Sequence, residues 1–218
     1  MSFRVALFDM DGTVLSTLDD IADAANVVLA AHGMPQRTIS EVRSFVGNGI
    51  PKLIERAVPQ GTDADTIARV VEDYKAYYGA HSAEKTAPYA GILELLRTLR
   101  AHGVRTAVVS NKADFAVKPL AAKYFGDLFD MALGEDAAKR PAKPAPDMVY
   151  HVLETLGATK EEAVYIGDSD VDVLTAKNAG LPCIAVTWGF RDRACLADAG
   201  ATVFADTAKE LQDLILAP

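Results

Sequence analysis

Asp9 and Asp11 stand one residue apart directly after the apolar run Val5-Ala6-Leu7-Phe8, and Gly12 and Thr13 follow soon after. An apolar run with β-branched and aromatic members reads as a buried strand, and the glycine lets the chain turn where that strand stops. Ligands of open α/β sheets bind at the carboxyl edge of the strands. A carboxylate pair there therefore suggests metal binding, nucleophilic attack or acid–base chemistry. The plain alternative is a strand ending in an Asp-Gly turn. Two acids beside Thr13, after a wholly apolar strand, favour chemistry.

Three more polar clusters follow in the chain. Val108-Val109 lead into Ser110-Asn111-Lys112, where a hydroxyl and an amide can donate to an anion, although Ser-Asn is also a common helix cap. Lys143 precedes Pro144 and Pro146, and a proline restricts the backbone of the residue before it, which aims the ammonium. Val164-Tyr165-Ile166 ends in Gly167-Asp168, with Asp172 one helical turn further on. Asp170 reads as an ordinary first-turn acid. A Gly-rich turn, Gly47-Asn48-Gly49, lies between helical stretches with Lys52 a turn beyond, and its backbone can approach a small ligand closely. It follows no strand and lacks a third glycine, so it is not a dinucleotide fingerprint.

The elements that must position these groups fall into two textures. Thr17-Leu18-Asp19-Asp20 reads as a capping box opening a helix that runs to Ala31, and helical spacing continues from Thr38 to about Ala83 with no strand between. From Pro88 the pattern alternates. Helices at 91–102, 115–125, 146–156, 171–179 and 208–216 separate strands at 104–110, 128–133, 163–166, 183–187 and 203–204. Alternation of this kind demands a mainly parallel, doubly wound α/β sheet covered on both faces. The helical block is then an insertion after the first strand, joined by crossings near 14–17 and 83–89.

The chain has 218 residues, half of them hydrophobic and 24% charged, enough for one sizeable core and a small inserted module. Its formal net charge of -8 argues against a nucleic-acid partner held by phosphate contacts. A phosphorylated small molecule stays open, because local field and metal decide that case. Cys183 and Cys195 form no disulfide framework, and no signal peptide or membrane-spanning run is visible, so a cytoplasmic protein is expected. The four histidines are scattered and receive no role.

The ordered set acid-x-acid, Ser-Asn, Lys-Pro and Gly-Asp-x-x-x-Asp, each after a strand, resembles the haloacid dehalogenase superfamily of phosphotransferases. The resemblance covers the whole chain and includes the place of the helical insertion. It implies a core of residues 1–15 and 86–218 and an all-helical cap over 16–85. Residue by residue it implies Asp9 as nucleophile and Asp11 as general acid and base. Ser110 and Lys143 would bind the phosphoryl group, with Thr13 and Asn111 beside the substrate. Mg²⁺ would sit on Asp9, Asp168 and the backbone carbonyl of Asp11, and Asp172 would orient the site from outside. The Phe45–Lys52 segment is similar to the cap loop of phosphoglycolate phosphatases, which makes Gly47, Asn48, Gly49 and Lys52 candidate substrate contacts. Ser16 stands where many members carry an acid, a departure from the usual first motif.

These readings lead to an expected Mg²⁺-dependent phosphatase acting on a small phosphorylated metabolite through an aspartyl-phosphate, with 2-phosphoglycolate favoured. A phosphomutase of the β-phosphoglucomutase kind, a nucleotidase or a pyrophosphatase would use the same core chemistry. A non-catalytic phosphate sensor is the more distant alternative, since fold alone does not establish function. No nucleic-acid or membrane partner is expected, and both a monomer and a homodimer fit the sequence.

Overall fold

The computed structural model describes residues 3–136 and 138–217. Its centre is β1 (Val5–Phe8), every residue of which is buried. It lies between β4 (Arg105–Ala113) and β6 (Ala163–Gly167), parallel to both. With β5 (Met131–Glu135), β7 (Cys183–Val186) and β8 (Val203–Ala205) these strands make a six-stranded parallel sheet ordered β5-β4-β1-β6-β7-β8. A strand covered on both faces has no polar side to show, which is why the first strand reads as unbroken apolar sequence.

Successive residues of β1 feed opposite cores, as strand geometry requires. Ala6 and Phe8 pack with Leu95 and Leu99 of α5 (Ile92–Ala101) and Leu211 of α10 (Ala208–Leu216). Val5 and Leu7 pack with Val149 and Val152 of α7 (Asp147–Leu156) and Ala176 of α8 (Asp170–Ala179). The chain moves outward from β1 through β4 to β5 and then returns to β6 on the other side. The strand order therefore reverses between β1 and β6, and a crevice opens at their carboxyl ends, where doubly wound sheets bind ligands.

Four helices are inserted after β1: α1 (Leu18–Ala31), α2 (Ile39–Phe45), α3 (Gly49–Ala57) and α4 (Ala64–His81). They share a core of their own that includes Leu29, Val42, Ile54, Val70 and Tyr74, and Ala116 of α6 (Asp114–Phe125) joins it. Thr38 and Glu41 form a capping box on α2, and Asp63 caps α4.

The crossings differ from the sequence expectation. Residues of β2 (Leu15–Ser16) and β3 (Ala87–Pro88) pair antiparallel, so the two connections are zipped together. Pairs this short carry no periodicity. The capping box expected at Thr17 does not form: Thr17 makes no side-chain cap, and its hydroxyl is buried without a partner. Asp20 turns away instead and accepts the backbone N–H groups of Glu84, Lys85 and Thr86 at 2.8–3.2 Å. Three amides converging on one carboxylate outcompete a single terminal N–H. Strand β4 also runs on to Ala113, past the expected end at Ser110, so Ser110-Asn111-Lys112 is extended backbone and caps no helix. The short helix α9 (Arg193–Asp198), capped by Asp192, lies between the strands expected at 183–187 and 203–204, where the sequence pattern placed no element.

Candidate active site

The carboxyl ends of β1, β4 and β6 bring the sequence clusters together. The Asp9 amide donates to the Ile166 carbonyl at 2.9 Å, which ties the end of β1 to β6. The Asp9 carboxylate accepts the Met10 amide at 2.7 Å and pairs with the Lys143 ammonium at 2.9 Å. Lys143 also donates to Asp172 at 2.7 Å. The remaining capacity of Asp172 is taken by the Ser169 amide and hydroxyl and by the Tyr165 hydroxyl. Asp172 and Asp9 thus share the Lys143 ammonium.

Asp168 accepts the Thr13 hydroxyl and the Phe190 amide, both at 2.7 Å. Two glycines let it approach this closely. A Cβ on Gly12, whose φ is +84°, or on Gly189 would stand 2.3 Å from an Asp168 carboxylate oxygen. Gly12 is therefore required for its conformation and for its lack of a side chain.

Asp9, Asp168 and Asp172 each offer an oxygen within 4.8 Å of the others, all three buried. Burial and the neighbouring Asp172 push the Asp9 carboxyl up to about 6 against the pull of Lys143 and Ser110. Burial, Asp172 and Asp9 drive Asp168 well above the ordinary carboxylate range. Burial opposes the charged form of Lys143, yet Asp172 and Asp9 outweigh it and hold that ammonium well above the usual lysine value. One ammonium against three buried carboxylates leaves negative charge uncompensated, and the donors are hard oxygens. The residues fit a small divalent cation.

Asp11 occupies a different setting. Its carboxylate turns from that cluster to the Lys112 ammonium, at 3.0 and 3.2 Å. Lys112 in turn donates to the hydroxyl of Tyr78 on α4. Asp9, Asp11, Ser110 and Asp168 form the polar floor of a cavity of about 60 Å³, roofed by apolar groups of the inserted helices such as Ile21, Ile50, Leu53 and Tyr74.

Several candidates sit elsewhere than expected. Thr13 is fully buried and donates its hydroxyl to Asp168. Asn111 lines the cavity and is also a clamp: its oxygen accepts the Lys143 amide at 2.7 Å, and its nitrogen donates to the carbonyls of Lys143 and Gly47, each at 3.0 Å. Gly47 and Gly49 line the cavity, as the Gly-rich turn suggested. Asn48 does not, because its oxygen accepts from Arg56 at 2.9 Å. Lys52 lies one step around α3 and pairs with Glu55 at 2.6 Å, with both side chains more than half exposed. Sequence reading gave no role to Lys112, Tyr78, Arg43 or the loop at Gly189-Phe190. Only Lys112 carried a signal, as the residue next to Ser110-Asn111.

The profile of the family described as haloacid dehalogenase-like hydrolase matches residues 6–186. The chain is 32% identical to a phosphoglycolate phosphatase of Pseudomonas fluorescens, over 95% of this chain and 78% of that one. It is 35% identical to a phosphoglycolate phosphatase of Pseudomonas putida, over 86% of this chain and 70% of that one. A crystal structure from Lactobacillus delbrueckii subsp. bulgaricus, itself given a provisional phosphoglycolate phosphatase description, superposes with a TM-score of 0.95 at 37% identity, with complete coverage of both chains. On the family profile and these relatives, the chain belongs to the haloacid dehalogenase-like hydrolases.

Proposed function

We infer that this hydrolase cleaves a small phosphate monoester, 2-phosphoglycolate foremost, with Asp9 as nucleophile and Asp11 as general acid and base. That it is a phosphoric monoester hydrolase follows from its family and its relatives. The observation that carries the division of labour is the separate environment of the two acids. Asp9 lies in the crowded cluster against Lys143, and Asp11 stands apart on Lys112.

Lys143 and Ser110 hold the phosphoryl oxygens where charge develops. Asp9 attacks phosphorus, the ester oxygen leaves, and Asp11 supplies its proton. The aspartyl-phosphate is then opened by water, whose proton Asp11 takes back. Mg²⁺ held by Asp9, Asp168 and the Asp11 carbonyl would neutralise the phosphate as the nucleophile approaches. Asp172 keeps the ammonium of Lys143 in line, and Thr13 and the Phe190 amide fix Asp168. The inserted helices, in residues 16–85, act as a lid over the site that excludes water.

Among the described residues no helix is long and apolar enough to cross a membrane, and both cysteines are free, which suits work in the cytoplasm. Turnover of p-nitrophenyl phosphate with Mg²⁺, followed by a panel of phosphorylated metabolites, tests the reading. We expect 2-phosphoglycolate to give the highest kcat/KM, and a sugar phosphate or pyrophosphate ranked above it would replace the substrate.

A further inference from the structure

A short phosphorylated acid meets a difficulty in this cavity, because it brings a carboxylate as well as a phosphate into a space already lined by Asp9, Asp11 and Asp168. Some cation must receive it. Lys143 is assigned to the phosphoryl oxygens and does not line the cavity, and Lys52 pairs with Glu55 with its side chain more than half exposed. Two cations line the cavity among the described residues, Lys112 and Arg191. Arg191 is held by the carbonyls of Arg43 and Val46, both at 2.9 Å, and lies 3.4 Å from Asp170.

Lys112 remains. Its ammonium carries three N–H donors, and Asp11 and Tyr78 account for two of them. It is 8% exposed, so any bond it makes to a ligand is largely shielded from water. It stands two residues beyond Ser110 on the same strand, and both line the same cavity. An ammonium there lies between Asp11 and an incoming carboxylate and screens the repulsion between them.

We propose that Lys112 is the specificity-determining residue that receives the substrate carboxylate, with the Tyr78 hydroxyl of the lid aiming its ammonium. The inference rests on the reading of the substrate as a small phosphorylated acid. It assigns to a core residue the part that the sequence suggested for Lys52.

The test compares kcat/KM for 2-phosphoglycolate with that for 2-hydroxyethyl phosphate, which replaces the carboxylate by a neutral hydroxymethyl group. Losing one charge-assisted hydrogen bond, Lys112→Met should reduce the preference for the acid about tenfold or more, whereas Lys112→Arg should keep most of it. Any loss common to both substrates reports on Asp11 and cancels in the ratio. Should Lys112→Met fail to fold, Tyr78→Phe, which removes only the lid contact, should still shift the ratio several-fold. A wild-type preference that survives unchanged in Lys112→Met, or in Tyr78→Phe where that is the only folded variant, overturns the role of Lys112 and leaves the substrate standing. Wild-type enzyme that hydrolyses both esters equally well overturns the substrate reading and this inference with it.

Discussion

Arg43 and Arg191 cross in opposite directions between the inserted helices and the sheet, each donating to a backbone carbonyl on the other side. Arg43 donates to the carbonyls of Phe190 and Gly189 at 2.7 and 2.8 Å, and Arg191 donates back to the Arg43 carbonyl at 2.9 Å. The same Phe190 donates its amide to Asp168, so the strap joins lid position to a proposed metal ligand. Arg43→Ala should lower kcat/KM by about tenfold, the size of one or two charge-assisted hydrogen bonds, and should speed hydrogen exchange at the Phe190 amide. Unchanged exchange and kinetics would mean that the lid is held by its apolar contacts alone.

Metal binding should stabilise the protein more as the pH rises. Folding raises the Asp9 pKa from the ordinary 3.8 to about 6, and burial is the main cause. A raised carboxylate favours the folded state at low pH, and that contribution is lost as the pH climbs from about 4 through 6. Mg²⁺ competes with the proton for the same oxygens, so its stabilising effect grows over that window. Thermal melting with and without Mg²⁺ should show a larger shift at pH 8 than at pH 5. Asp9→Asn or Asp168→Asn should shrink it, and EDTA should abolish turnover.

Asp11→Asn should separate the two half-reactions. With an alkyl phosphate the loss of general acid catalysis should lower kcat by about 10²–10⁴-fold. With p-nitrophenyl phosphate, whose leaving group needs little protonation, a burst of p-nitrophenol should precede a slow steady state. Mass spectrometry should then find phosphate on Asp9. Its absence under every trapping condition would argue against the covalent route.

Asp20 offers a test away from the chemistry. It is nearly fully buried and holds three backbone amides of the second crossing. Asp20→Ala strands those donors and should cost about 3 kcal/mol in chemical denaturation, while Asp19→Ala, on the exposed side of the same turn, should be near neutral. Equal effects would mean that the crossing is held by the β2–β3 pair alone.

What the sequence by itself determined was the frame and the chemistry carried in single strand ends. Val5–Phe8 must be buried on both faces because no residue in it is polar, and the alternation after Pro88 admits little but a parallel sheet. Asp9 and Asp168 stood out in the sequence because each directly follows a strand, and a parallel sheet gathers its strand ends on one edge. Tertiary structure decided everything that depends on where two distant segments meet. Asp20 looked like a cap because local spacing cannot show three amides arriving from residues 84–86. Thr13 and Asn111 read as ligand contacts, and local spacing could not show their protein partners, Asp168 and the loop carbonyls of Gly47 and Lys143, which lie far away in the chain. Lys52 and Lys112 are equally plain lysines in sequence. The rotation of α3 turns one toward solvent, and the extension of β4 carries the other under Tyr78, because helix phase and strand length are fixed by packing against the rest of the fold.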